Sequence, residues 1–144
     1  MNGWRWRTGV FLSFVISIAA SSCDGTGPDE VHSDVSGAWD ARFEGTVTGR
    51  GTSQTDDISM VLSQSGSTVT GILRFSGLDI SFPVTGTVTG NRFDYRSSVT
   101  LEGCELRLEA HTVIDSSGRR FSGDQTQSSC EGTATGRVEA MKRG

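Results

Sequence analysis

GAWDARFEG, residues 37–45, alternates strictly: Trp39, Ala41 and Phe43 are apolar, while Asp40, Arg42 and Glu44 between them are charged. A two-residue period belongs to a β-strand with one face buried and the other in water, because successive side chains leave a strand on opposite sides. The period returns along nearly the whole chain that follows. Ile58, Met60 and Leu62 share a face, as do Val69, Leu73 and Phe75, and then Ile80, Phe82, Val84 and Val88. Phe93, Tyr95, Val99 and Leu101 predict a fifth strand, and Leu106 with Leu108 a sixth. Phe121 with Gly123, then Ala134, Val138 and Ala140, bring the count to about eight. No stretch carries a helical period.

The connections repeat as well. Gly66-Ser-Thr-Val69-Thr-Gly71, Gly90-Asn-Arg-Phe93-Asp-Tyr95 and Gly118-Arg-Arg-Phe121-Ser-Gly123 each place an inward residue three positions after a turn glycine and another two later. Glycine there supplies the positive φ of a tight hairpin turn. The 19 glycines against 2 prolines, with abundant Ser and Thr, fit many short strands. Successive hairpins close most naturally into a single all-β, up-and-down antiparallel barrel of about eight strands, which removes exposed sheet edges. Inward glycines at Gly71, Gly86, Gly132 and Gly136 suit the bends of a small barrel. The alternative fold is a two-sheet β-sandwich. A transmembrane barrel is disfavoured by the glycine-rich apolar face and by a chain ending Met-Lys-Arg-Gly without an aromatic last strand.

Ahead of this domain the character changes. Met1–Arg7 carries Arg5 and Arg7 and no acid, and Val10–Ala20 is apolar except for Ser13 and Ser17. A basic start, an apolar run of roughly 7–15 residues and small residues at its exit read as an export signal. The exit, Ala20-Ser21-Ser22-Cys23, resembles the lipobox of bacterial lipoproteins, with Ala20 where that family usually has Leu. The resemblance implies acylation of Cys23, cleavage just before it, and a lipid-anchored protein of a bacterial cell envelope, its domain in the periplasm or at the cell surface. Ordinary signal cleavage nearby is the alternative. Asp24 resembles an inner-membrane retention signal of some proteobacteria, which leaves inner against outer membrane open. The organisation is then a signal over residues 1–22, a lipidated cysteine with a flexible acidic tether over 23–36, and a barrel over 37–141. As a coil the tether would reach about 20 Å.

Three cysteines, Cys23, Cys104 and Cys130, are an odd number for an exported protein. Setting Cys23 aside for lipid leaves Cys104 and Cys130 to pair in an oxidising compartment. Removal of residues 1–22 leaves 11 basic against 17 acidic residues, a formal charge of −6 against −4 for the whole chain. That balance opposes nucleic-acid binding, which needs a basic footprint, and opposes lying flat on an anionic membrane.

Gly37-Ala38-Trp39 near the start of the first strand, in a barrel of this length, resembles the calycin group of lipocalins, fatty-acid-binding proteins and avidins. The resemblance implies that Trp39 plugs one end of the barrel. Lipocalins cover that tryptophan with an Arg near the last strand. Arg137 has outward parity, which leaves Arg143 or Lys142 for the place. Avidins line their pocket with several tryptophans, and Trp39 is the only one after residue 22, which argues against biotin.

Catalysis is not expected. His111 is the one histidine of the barrel domain, so neither a serine–histidine–acid set nor a metal site can be assembled, and no cofactor is implied. Asp56, Asp57 and Asp115 read as turn formers. Two functions remain: a non-catalytic barrel holding a small apolar ligand, or a protein-interaction module such as an envelope scaffold or an inhibitor of a secreted enzyme. A core filled by Phe43, Phe75, Phe82, Phe93 and Phe121 would exclude the carrier, and a cavity of a few hundred Å³ would favour it. By parity the turns at Ser65–Ser67, Gly90–Asn91 and Ser116–Gly118 lie beside the start of the first strand. The connections Thr48–Asp57, Ser76–Asp79, Glu102–Gly103 and Gln127–Glu131 form the far rim. Ligand or partner binding is expected at that rim, whose charges are Arg50, Asp56, Asp57, Asp79, Glu102 and Glu131.

Overall fold

A computed structural model describes residues 32–144. The expected export signal, Cys23 and most of the expected tether lie outside the described residues. Eight strands follow in chain order: β1 (Gly37–Val47), β2 (Ser53–Ser65), β3 (Thr68–Phe75), β4 (Ser81–Thr89), β5 (Arg92–Leu101), β6 (Cys104–Ile114), β7 (Arg120–Ser129) and β8 (Gly132–Lys142). Each pairs antiparallel with the next, and β1 pairs with β8, so the sheet is a closed up-and-down barrel and not a sandwich. Turn glycines Gly66, Gly90 and Gly118 have φ of 62°, 62° and 73°, the left-handed backbone that the repeated turns require.

Parity holds around the circle. Trp39, Phe43, Met60, Leu73, Val84, Phe93 and Phe121 point inward and are buried. Outside, the register sets Glu44, Arg137, Asp124, His111 and Asp94 side by side on β1, β8, β7, β6 and β5. The charges of Glu44, Arg137 and Asp124 alternate along that row, with Arg137 3.8 Å from Asp124, and His111 Nδ1 lies 3.0 Å from Asp94. Cross-strand pairs of opposite charge stabilise a solvated sheet face by a few tenths of a kcal/mol to ~1 kcal/mol each. Inward glycines are obligatory for closure, Gly136 and Gly123 among them. A Cβ on Gly136 would strike the Glu44 carbonyl, and one on Gly123 would strike that of His111.

The end where β1 begins is sealed. Trp39 is fully buried, its ring 4.8 Å from Phe121, which meets Phe93 edge-on at 5.2 Å; Tyr95 continues the stack at 4.9 Å from Phe93. Lys142 Nζ lies over the Trp39 ring, 5.7 Å from its centre. The cationic cover is therefore a lysine. Arg143 instead forks onto Asp40 Oδ1 at 2.9 and 2.6 Å. Gly37 (φ 123°) leaves room for this arrangement, since a Cβ there would stand 3.0 Å from Lys142 Cε.

The tether expected up to Ser36 ends earlier, because Ser33–Ser36 form a strap across this end of the barrel. Val35 is fully buried, and its carbonyl accepts from Trp39 Nε1 at 2.8 Å. Gln64 holds the strap from β2: its Oε1 accepts from Val35 N at 2.8 Å and its Nε2 donates to Ser33 O at 2.9 Å. Ser33 N donates to Gly90 O, and Asp34 accepts from Ser36 N. This last bond holds the Asp34 carboxyl below the usual carboxylate range. The one apolar side chain of a polar stretch thus completes the core.

Candidate functional site

At the opposite end the barrel is not filled. Phe43, Phe93 and Phe121 pack the sealed half, whereas Phe75 and Phe82 stand in the wall of a cavity of about 350 Å³ that opens at the far rim. Val47, Leu106, Leu108 and Ala134 complete its apolar wall. Such a volume is at the lower end of the roughly 300–1,000 Å³ range of ligand pockets. It is more than twice the roughly 150 Å³ void that accommodates benzene in an engineered apolar core.

The rim is stapled. Cys104 opens β6, Cys130 sits between β7 and β8, and the two form a disulfide with Cα atoms 5.6 Å apart. Ser129, Glu131 and Gly132 beside Cys130 line the mouth. The bridge therefore fixes one lip of the cavity to the neighbouring strand.

Of the six rim charges expected to gather here, Arg50, Asp56 and Glu131 line the cavity. The other three do not. Asp57 has outward parity and faces Arg42 on the barrel wall, 3.5 Å from its guanidinium. Asp79 is exposed in the 76–80 connection, and Glu102, with φ of 50°, is exposed in the two-residue turn 102–103. The reading of Thr48–Asp57 and Gln127–Glu131 as long loops is also corrected, since β2 begins at Ser53 and β7 runs to Ser129. Asp56 and Asp57 are strand residues, not turn formers. At this end the connections 48–52 and 130–131 are shorter than expected, 76–80 is one residue longer, and 102–103 is as expected. Polar side chains at inward positions near the mouth broke the apolar alternation and disguised strand as loop.

Of those inward polar residues, the sequence reading named Asp56 for the rim but missed Gln54, Gln125 and Gln127. Gln54 and Asp56 share the face of Ile58 and Met60 on β2, and Gln125 and Gln127 share the face of Phe121 on β7. Continuing either series by twos would have found them. Gln54 Nε2 donates to Asp56 Oδ2 at 2.8 Å and, across the barrel, to Gln127 Oε1 at 2.9 Å. Deeper, the Tyr95 hydroxyl donates to Gln125 Oε1 at 3.1 Å. Burial pushes the Tyr95 hydroxyl well above its ordinary pKa, so it remains a donor.

Most buried polar groups here are satisfied. Ser97 Oγ donates to the Pro83 carbonyl and Thr112 Oγ1 to that of Phe93. Two amide nitrogens are exceptions, because Gln125 Nε2 and Gln127 Nε2 are buried without an acceptor. An unmet buried donor costs about 1–3 kcal/mol, so this end of the barrel is polarised beyond what folding needs. The arrangement can enclose a small molecule, offer it an apolar wall and give it hydrogen bonds. No protein-family model, no curated protein and no solved structure matches this chain, so the site stands on its own geometry.

Proposed function

We propose that this chain is an exported, lipid-anchored protein of a bacterial cell envelope whose barrel binds a small, largely apolar molecule without transforming it. The observation that carries the binding role is the half-filled interior, packed at the Trp39 end and open as an apolar-walled cavity of about 350 Å³ at the disulfide-stapled end. Trp39 under Lys142 at the sealed end supports a calycin-like reading of the barrel. The anchor rests on Ala20-Ser21-Ser22-Cys23 and on cysteine arithmetic: with Cys104 bonded to Cys130, Cys23 is the odd thiol of three.

Native mass spectrometry of the full chain, extracted from membranes under mild conditions, tests the binding role. A co-purifying small molecule is expected on the wild type and not on Leu106→Trp, which fills the cavity from its wall. Wild-type protein that carries no small molecule and takes up none from apolar extracts would refute the carrier and leave the protein-interaction role. The anchor is tested separately by Cys23→Ser, which should abolish membrane partitioning and the acyl mass at the N-terminus. Wild-type protein lacking acyl mass refutes the anchor alone.

A further inference from the structure

The mouth cavity has a chemical polarity, and its source is Asp56. A carboxylate only accepts hydrogen bonds, so the group facing Asp56 Oδ2 must be the Gln54 nitrogen. The second hydrogen of that nitrogen points to Gln127, so the atom facing it must be the Gln127 oxygen. Turning the Gln127 amide would set nitrogen against nitrogen. Turning both amides would set the Gln54 oxygen against the Asp56 carboxylate. One carboxylate thus orients two carboxamides in series and leaves Gln127 Nε2 as a donor, buried and without an acceptor, on a side chain that lines the cavity. One pleat deeper on β7, Gln125 is 1% exposed. Its Oε1 is taken by Tyr95 and its Nε2 is likewise unmet.

We infer that the ligand of this cavity is an uncharged molecule with a carbonyl-type acceptor, such as an amide, lactam or ketone oxygen, at the inner end of an apolar body. The inference rests on the binding role proposed above and gives its chemistry. Gln127 receives the carbonyl oxygen, and Phe75, Phe82, Leu106 and Leu108 hold the apolar body. An anionic head is disfavoured because Asp56 is only one side chain from the Gln127 amide. The charged side chains that line the mouth are Arg50, Arg107, Asp56 and Glu131, so its cations are matched by its acids, and Arg107 also faces Glu105 at 3.4 Å.

The test uses four probes that share one apolar body of suitable size: naphthalene, 2-naphthamide, 2-acetylnaphthalene and 2-naphthoate. Affinities for the full chain are measured by calorimetry or ligand-observed NMR. The two neutral carbonyl probes should bind about tenfold or more tighter than naphthalene, the worth of one buried hydrogen bond, and tighter than naphthoate. Gln127→Leu should abolish that preference while naphthalene binds as before. Gln127→Glu should do the same, and either variant suffices if the other fails to fold. Asp56→Asn, which frees the amides to turn, should reduce the preference without touching Gln127. Naphthalene binding equal to naphthamide, or naphthoate binding tightest, overturns the inference while leaving the binding role intact. Failure of every probe, naphthalene included, overturns both.

Discussion

Val35→Ala is the substitution that separates a strap from a tether. Val35 has no exposed surface and sits beneath Trp39, whose indole N–H donates to its carbonyl. Removing two methyl groups forfeits roughly 1.6 kcal/mol at ~0.8 kcal/mol per buried CH₂. The cavity left behind raises the loss to about 2–3 kcal/mol. For a domain of this size that corresponds to a Tm lower by about 8–10 °C. Val35→Asp adds a second constraint. A carboxylate will not be buried without a partner when the alternative is to undock four residues, so the loss saturates at the docking free energy of the strap. Once the strap is undocked, the Trp39 hydrogen bond is gone. Trp39→Phe should therefore cost about 1 kcal/mol less in the Val35→Asp background than in the wild type. Urea unfolding followed by far-UV circular dichroism gives each value, with a fall in midpoint at constant slope as the expected signature. A Val35→Ala midpoint within about 0.5 kcal/mol of wild type, the range of ordinary surface substitutions, would refute the reasoning. The tether would then extend to Ser36, as the bare sequence suggests.

Reduction of the Cys104–Cys130 bridge, or the double change to Ser, should lower stability by about 3–4 kcal/mol from the 26-residue separation; a change below about 1 kcal/mol in thermal unfolding refutes this. Gly136→Ala drives a methyl group into the Glu44 carbonyl and the Gly45 backbone and should cost about 2–4 kcal/mol, whereas an unchanged midpoint would mean that the strands do not close as described. Asp34, Asp40 and Asp115 are held below the usual carboxylate range by the Ser36 amide, by Arg143 and by Ser117 respectively. The unfolded chain therefore takes up protons first: their contribution is present above about pH 3.9 and is lost as pH falls through the folded values. The acid limb of a Tm–pH profile should flatten when the three are replaced by Asn, and an unaltered limb would contradict the assignment.

The strands were legible because the sealed half of the barrel keeps the apolar alternation with few breaks, such as Thr112. Every inward position from Trp39 to Phe43, or from Ile58 to Leu62, is apolar, and the turn glycines Gly66, Gly90 and Gly118 punctuate the runs where a positive φ is needed. The strap was not legible. Val35 is a lone apolar residue among Ser33, Asp34 and Ser36, and a single residue carries no period. Its burial is decided by Gln64 and Trp39, which are distant in sequence. Lys142 was named only beside Arg143, and the sequence could not choose it, since its parity is inward but its chemistry is that of a surface residue. It serves because its stem passes over Gly37 while its ammonium group caps an aromatic face.

The rim was legible through Arg50, Asp56 and Glu131, but its inward glutamines were not, because binding asks of a barrel the reverse of what folding asks. Folding favours an apolar residue at each inward position, yet β2 and β7 place Gln54, Asp56, Gln125 and Gln127 there. An alternation search stops at the first such residue and declares a loop. The register explains how side chains on two strands that are not neighbours can meet. Gln54 stands beside Gly45, Gly45 beside Gly136, and Gln127 beside Ala134, so the strands between them present almost no side chain to the interior. The Gln54–Gln127 bond spans that gap. The same glycines that let the barrel close therefore clear the path along which Asp56 orients the mouth. In the sealed half, Phe43 takes the space over Gly45, coming within 2.6 Å of where a Cβ would be. Glycine is spent on aromatic packing below and on polar order above, and the boundary between the two uses lies where Tyr95 meets Gln125.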